Sequence, residues 1–199
     1  MDYAETKELA TRLGLRFNPA QNYVLADDYG FLHQLARGEN RYAFNVLSGR
    51  YQQSEVLAFD YHYEIPAKGT HNELSSTHCY LTTAMVLMPA YFPELRIVPE
   101  GLLSKIAETF RGEDIQFESA EFSRAFRVWS RDKRFAYDVC NPRVMDYLLE
   151  NRDLNIQIQN CTLALVSDMP WSAKQVEFNL ERLNEIRSRL PEYLFTKTA

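Results

Sequence analysis

Three cysteines in 199 residues cannot support a disulfide framework. They are odd in number, and Cys79, Cys140 and Cys161 lie far apart, without the C-x-x-C spacing of a metal or redox motif. Each stands among apolar neighbours, as in VCNP and NCTLAL, the setting of reduced, partly buried thiols. Seven glycines and eight prolines exclude a low-complexity or linker-dominated chain. No hydrophobic run approaches the ~18 residues needed to cross a bilayer. The longest, AMVLMPAY from Ala84 to Tyr91, is short and interrupted by Pro89. The N-terminal MDYAETKELATRLG is charged and amphipathic, unlike a secretory signal, so the expected location is cytoplasmic. Positive charge is also scarce. With 22 Lys and Arg against 27 Asp and Glu, the net charge is −5, whereas duplex-binding proteins carry a dominant positive field. General nucleic-acid binding is excluded on that ground.

Several catalytic signatures are missing as well. There is no GxGxxG, no GxxxxGK[ST], no GxSxG and no HExxH, so P-loop, dinucleotide-fold, α/β-hydrolase and zincin chemistries have no support. Ser48 is no elbow serine, since position 46 is Val. No cofactor is expected.

What is present is pattern. Hydrophobic residues make up 46% and aromatics 13%, enough for one domain over residues 1–199 with a substantial core. Arg41 to Ile65 reads as two long strands joined tightly through QQS. The second strand puts Leu57, Phe59, Tyr61, Tyr63 and Ile65 on one face and Asp60, His62 and Glu64 on the other. Thr77 to Met88 makes the third strand of an antiparallel meander that Pro89 ends. Leu95–Val98 is a short strand, and a helix follows from Glu100 to Phe110. Ile115–Glu118 with Ala125–Ser130, and Leu154–Ile158 with Thr162–Val166, read as two further hairpins. Ser48-Gly49 suggests a bulge or a close backbone approach.

Helices are expected over 2–13, stopped by Gly14, for one or two turns within Tyr29–Ala36, from Asp132 through Val139, and after Asn141-Pro142, where Asn suits the cap and Pro the first helical position. The clearest spans 172–190. Ser172 and Gln175 form a capping box, and Val176, Leu180, Leu183, Ile186 and Leu190 recur at helical spacing. The fold class is α+β: a twisted antiparallel sheet of about six to eight strands over 41–168, with inserted helices and a long C-terminal helix packed on it.

The pattern RYAFNVLSGRY…FDYHY, followed by FESAEFSRAFRVWSRDKRFAYDV and NPRVMDYLLE, resembles an uncharacterised bacterial domain family without an assigned activity. The resemblance runs from Arg37 to Leu165. It implies a shared fold. Some members carry membrane-spanning helices ahead of the domain. The second turn residue, commonly Gly there, is Gln53 here.

Two constellations carry potential chemistry. Asp60, His62 and Glu64 project from one strand face, with His78 across the hairpin and His71 in its loop. Such groups hold metal ions when three or four converge. Strand neighbours point in parallel, so His71 is the group expected to fold over. The simpler reading is a solvated polar face with cross-strand ion pairs. The second constellation is the basic cluster Arg124, Arg127, Arg131, Lys133 and Arg134, with Trp129 among it. It could meet an anionic partner or attach the protein peripherally to a membrane complex. Asp132, Glu118, Glu121 and Asp138 dilute it, and Glu118 is expected to face Arg124 across a turn. The exposed tail after Pro191, with Tyr193, Leu194 and Phe195, could dock on a protein partner or a second copy, or tuck in. The leading functional reading is a non-enzymatic interaction or accessory module. The alternatives are a ligand- or metal-binding protein or enzyme using the Asp60, His62, Glu64 face, and a membrane-complex subunit using the basic cluster.

Overall fold

In the computed structural model, residues 1–68, 74–102 and 114–196 are described. The chain divides into two compact units, 1–85 with 166–181 and 86–165 with 182–199.

The first unit begins with α1 (Tyr3–Leu13). Asp2 caps its start, and Gly14, at φ 68, ends it as the sequence predicts. Then come β1 (Arg16–Asn18), a short α2 (Tyr23–Asp28) capped by Asn22, and the hairpin of β2 (Glu39–Tyr51) and β3 (Ser54–Lys68). The helical turns expected at Tyr29–Ala36 form only i→i+3 and i→i+4 contacts such as Leu35 N to Leu32 O, and the helix forms earlier, where Asn22 supplies the cap. β4 (Leu74–Pro99) continues from the first unit into the second.

The second unit holds a 3-10 turn at Glu100–Leu102, α3 (Ala120–Ala125), β5 (Phe126–Ser130), α4 (Lys133–Val139), α5 (Pro142–Glu150), β6 (Ile156–Val166) and α7 (Tyr193–Thr196). The long α6 (Ala173–Arg189) runs from the first unit into the second. The strands order β1-β2-β3-β4-β5, and β6 also pairs with β4. This is the expected α+β architecture with an antiparallel meander in its first half. Residues 103–110 of the expected Glu100–Phe110 helix lie outside the described residues.

Local chemistry explains most starts and stops. Asp132 and Asn141 cap α4 and α5, and Pro142 opens the latter. The capping box before α6 forms as expected: Ser172 N donates to Gln175 Oε1 at 2.9 Å, and Gln175 N donates to Ser172 Oγ at 3.3 Å. All five apolar residues of its stripe are buried, each stabilising by about 1.5–3 kcal/mol before entropy. The tail is tucked in: Leu194 is buried, Phe195 meets Phe92 edge-on, and the Tyr193 hydroxyl donates to Asp138 at 2.7 Å.

Two expected breaks give way to longer strands, and one expected hairpin does not form. β4 passes Pro89 and Pro93 without ending, and both rings are exposed. β6 is one strand, and Asn160 sits within it at φ 54, a conformation Asn tolerates. Ile115–Glu118 forms no strand. Only Ile115 N bonds β5, at Val128 O. The Ser119 side chain accepts from Phe122 N and starts α3 instead.

The β2–β3 turn is tight, with Tyr51 opposite Ser54. Its left-handed residue is Gln52, at φ 54, and not Gln53. A non-Gly residue there costs about 1–2 kcal/mol, whereas Gly in an ordinary conformation loses about 0.5–1 kcal/mol of backbone entropy. Gln52→Gly is therefore expected to be the more stable of two single variants in urea unfolding. A more stable Gln53→Gly would contradict the turn geometry.

Candidate functional site

The site is built around β3. Apart from Glu55, every residue of this strand from Ser54 to Tyr63 is buried, so both faces are covered. On the apolar face, Phe59 packs against Tyr29, and the Tyr61 hydroxyl donates to the Leu35 carbonyl at 2.6 Å. Burial pushes that phenol up to about 12. The opposite face was expected to be wet. Instead Asp60 and His62 are each only 2% exposed. The correction has a simple cause: the N-terminal residues, Asn45, Thr82 and the aromatic rings of Tyr42 and Tyr80 pack over that face.

Asp60 does not join the histidines. Thr82 Oγ1 donates to its Oδ1 at 2.6 Å, and Asn45 Nδ2 donates to its Oδ2 at 2.9 Å. The Met1 amino group donates to the same oxygen at 2.5 Å. Thr82 Oγ1 also accepts from Trp171 N at 2.9 Å, which ties the segment before α6 to the sheet.

His62, Glu64 and His78 do come together. Their donor atoms all lie within 4.8 Å of one another. His62 Nε2 is 2.9 Å from His78 Nδ1, and His78 Nδ1 is 3.6 Å from Glu64 Oε1. Parallel strand neighbours were expected to converge only if His71 folded over; instead His78, the candidate across the hairpin on β4, meets both. His71 lies outside the described residues.

The layer around this trio centres on Asn40, a residue that sequence reasoning missed. The Asn40 carbonyl lies 3.1 Å from His62 Nδ1. A carbonyl only accepts, so this nitrogen carries a proton, and in the neutral ring Nε2 then presents a lone pair. Asn40 Nδ2 donates to Glu64 Oε2 at 3.0 Å, and Ser76 Oγ donates to the same oxygen at 2.9 Å. These bonds, Asn40 first and then Ser76, hold the Glu64 carboxyl below the ordinary carboxylate range, with lesser help from His78 and His62. Tyr42 stacks on the His62 ring at 4.5 Å, and Tyr80 lies 5.0 Å away.

The backbone places these groups. The β2–β3 register shifts between Glu39 and Tyr42 and again between Phe44 and Leu47. Asn40 and Asn45 sit in those two intervals, each at φ 50, so each irregularity aims an Asn side chain at a carboxylate. Gly38, at φ 65, enters the first; a Cβ there would collide with the Glu64 carbonyl oxygen. The expected irregularity at Gly49 is not a bulge, since Gly49 pairs regularly with Val56, but it is a close approach: its Cβ would stand 3.3 Å from the Leu15 side chain. The available signal was Asn within a strand pattern, a residue depleted in strands and tolerant of the left-handed region. A groove of about 500 Å³ lined by Glu5, Glu8, Arg12, Lys174 and Glu177 lies in the same unit but contains none of the trio.

The basic cluster falls on α3, β5 and the start of α4. Arg127 is matched by two carboxylates, Glu100 at 2.7 Å and Asp114 at 2.8 Å, which push its guanidinium further up. Arg127 and Trp129 share a strand face, and the guanidinium over Trp129 is that of Arg96. Arg124 donates to the Ala120 carbonyl one turn back, not to Glu118, and Glu121 pairs with Arg152. Arg124, Arg131, Lys133 and Arg134 are exposed. All three cysteines are free. Burial pushes the Cys140 thiol up, far from the range of a nucleophile.

No family model matches the chain, and no curated protein matches it. Among solved structures, the chain is similar to the crystal structure of the mycobacterial trehalose monomycolate transport factor A, TtfA, with a TM-score of 0.67 and 14% sequence identity, over 94% of this chain and 95% of that one. The likeness establishes a common fold. Among the described residues, no helix is long and apolar enough to cross a membrane.

Thr82→Val keeps the shape and removes both of the hydroxyl's bonds. It should destabilise the protein by about 1–3 kcal/mol, because it leaves an Asp60 oxygen and Trp171 N short of a partner. Urea unfolding measures this. A cost below about 0.5 kcal/mol would mean that water already serves the carboxylate.

Proposed function

We propose that the chain is a non-enzymatic accessory module that works by binding a partner protein. The observation that carries this reading is the end-to-end likeness of fold to a protein described as a transport factor. The missing catalytic signatures in the sequence agree with it. In a reducing compartment such as the cytoplasm, its three unpaired thiols remain thiols.

The binding surface is the aromatic patch beside His62. Tyr23 lies 5.7 Å from Tyr42, Tyr42 lies 5.8 Å from Phe44, and Phe44 meets Tyr80 edge-on at 6.4 Å. Tyr23 is 57% exposed and Tyr80 45%. Rigid Tyr side chains offer large amphipathic contact area at little entropic cost, which is why they recur at the centres of protein interfaces.

A photo-crosslinking residue placed at Tyr23 or Tyr80, in the full chain in its native cell, is expected to trap one discrete heterologous protein. The same residue at Tyr193, whose hydroxyl is engaged by Asp138, serves as the control. Equal, diffuse adducts at all three positions would contradict the reading. So would an adduct made only of a second copy of the chain.

A further inference from the structure

We propose that His62 Nε2, His78 Nδ1 and Glu64 Oε1 form a three-donor site for a divalent first-row transition-metal ion of the zinc class, with a coordination position open to solvent. The proposal is independent of the accessory reading and of any partner.

The donor set comes first. Two imidazoles and a carboxylate suit zinc and its neighbours, and three protein ligands with an open position are the arrangement of exchangeable rather than sealed sites. Distances come second. Two donors held at about 2.0–2.1 Å from an ion at a tetrahedral angle stand about 3.3 Å apart. Two of the three observed separations, 2.9 Å and 3.6 Å, bracket that value, and all three lie within 4.8 Å, so rotation about side-chain torsions, those of exposed His78 above all, brings the donors onto one ion.

The surroundings come third, and they separate this trio from a chance cluster. His62 is buried, with its far nitrogen committed to a backbone carbonyl, which fixes the tautomer and leaves Nε2 as a pure donor. Glu64 has one oxygen committed to Asn40 and Ser76, so Oε1 is the oxygen left for the ion. A carbonyl on a ligating imidazole and hydrogen bonds on a ligating carboxylate are the outer shell that orients metal ligands. One residue, Asn40, supplies a bond to both, from a backbone conformation that Asn adopts at some cost. His78 is the mobile member, with a side chain 56% exposed. In the metal-free state its Nδ1–H donates to His62 Nε2. When the ion binds, His78 changes tautomer through solvent, losing the proton from Nδ1 and taking one up at its exposed Nε2, and Nδ1 then ligates with its own lone pair.

The test is titration of untagged full-length protein with Zn²⁺ by calorimetry, with Co²⁺ absorption reporting coordination. One Zn²⁺ per chain is expected, with intense visible Co²⁺ bands typical of four-coordinate sites. His62→Ala risks unfolding, so the deciding variants are His78→Ala, at an exposed position, and Glu64→Gln, which keeps shape and loses charge. Each should weaken Zn²⁺ binding at least tenfold while circular dichroism stays unchanged. Asn40→Gly keeps the left-handed backbone and the carbonyl on His62 but removes the amide from Glu64; it should weaken binding by about tenfold. Absence of stoichiometric Zn²⁺ binding by the wild-type chain, or loss of less than tenfold in both His78→Ala and Glu64→Gln, overturns the proposal.

Discussion

A carboxylate and an imidazole buried two residues apart on the middle of a strand impose a strict demand. Every donor and acceptor they present must be met from within the protein, because an unmet one costs about 1–3 kcal/mol, more for a charge. Asp60 and His62 set that demand here, and much of the first unit can be understood as the answer to it. Thr82 reaches from β4, Asn45 from β2, and the carbonyl of Asn40 from the start of β2. Remove the polar row and none of these irregular features has a purpose.

The answer requires a bent partner strand. A regular β2 would alternate its side chains evenly and could not present both Asn40 and Asn45 to the same face of β3. Two register shifts solve this, each with an Asn in the left-handed region. Each such residue costs about 1–3 kcal/mol of backbone strain. That cost is comparable to one unsatisfied buried polar atom, and each Asn satisfies more than one. Asn40 serves His62 and Glu64, while Asn45 serves Asp60 and the Met1 carbonyl. The balance favours the bulge on that arithmetic.

The sequence disclosed the parts of this fold that depend on neighbours along the chain. Asp132, Asn141-Pro142 and the Ser172–Gln175 pair each marked a helix start correctly, since a cap is a local hydrogen bond. The buried stripe of α6 was likewise legible from its period. What stayed hidden depends on partners far away in sequence. Alternation along β3 signalled one wet face, because alternation alone cannot tell exposure from burial among polar side chains. Pro89 signalled a break, because a missing N–H interrupts a strand only where a neighbour would pair with it, and neighbours on a sheet lie far away in sequence. Of the site, His62, Glu64 and His78 were recognisable by residue type. Asn40 was not, since its role rests on a conformation and not on its chemistry alone.

The central claim is that the polar face of β3 is internally organised, with the His62 ring fixed by Asn40. The most direct measurement is ¹⁵N NMR of the histidine-labelled, metal-free protein at mildly alkaline pH. The account predicts a single His62 tautomer, with the proton on Nδ1 and Nε2 bare. A His62 ring protonated on Nε2, or one averaging rapidly between both forms as a solvated imidazole does, would contradict it.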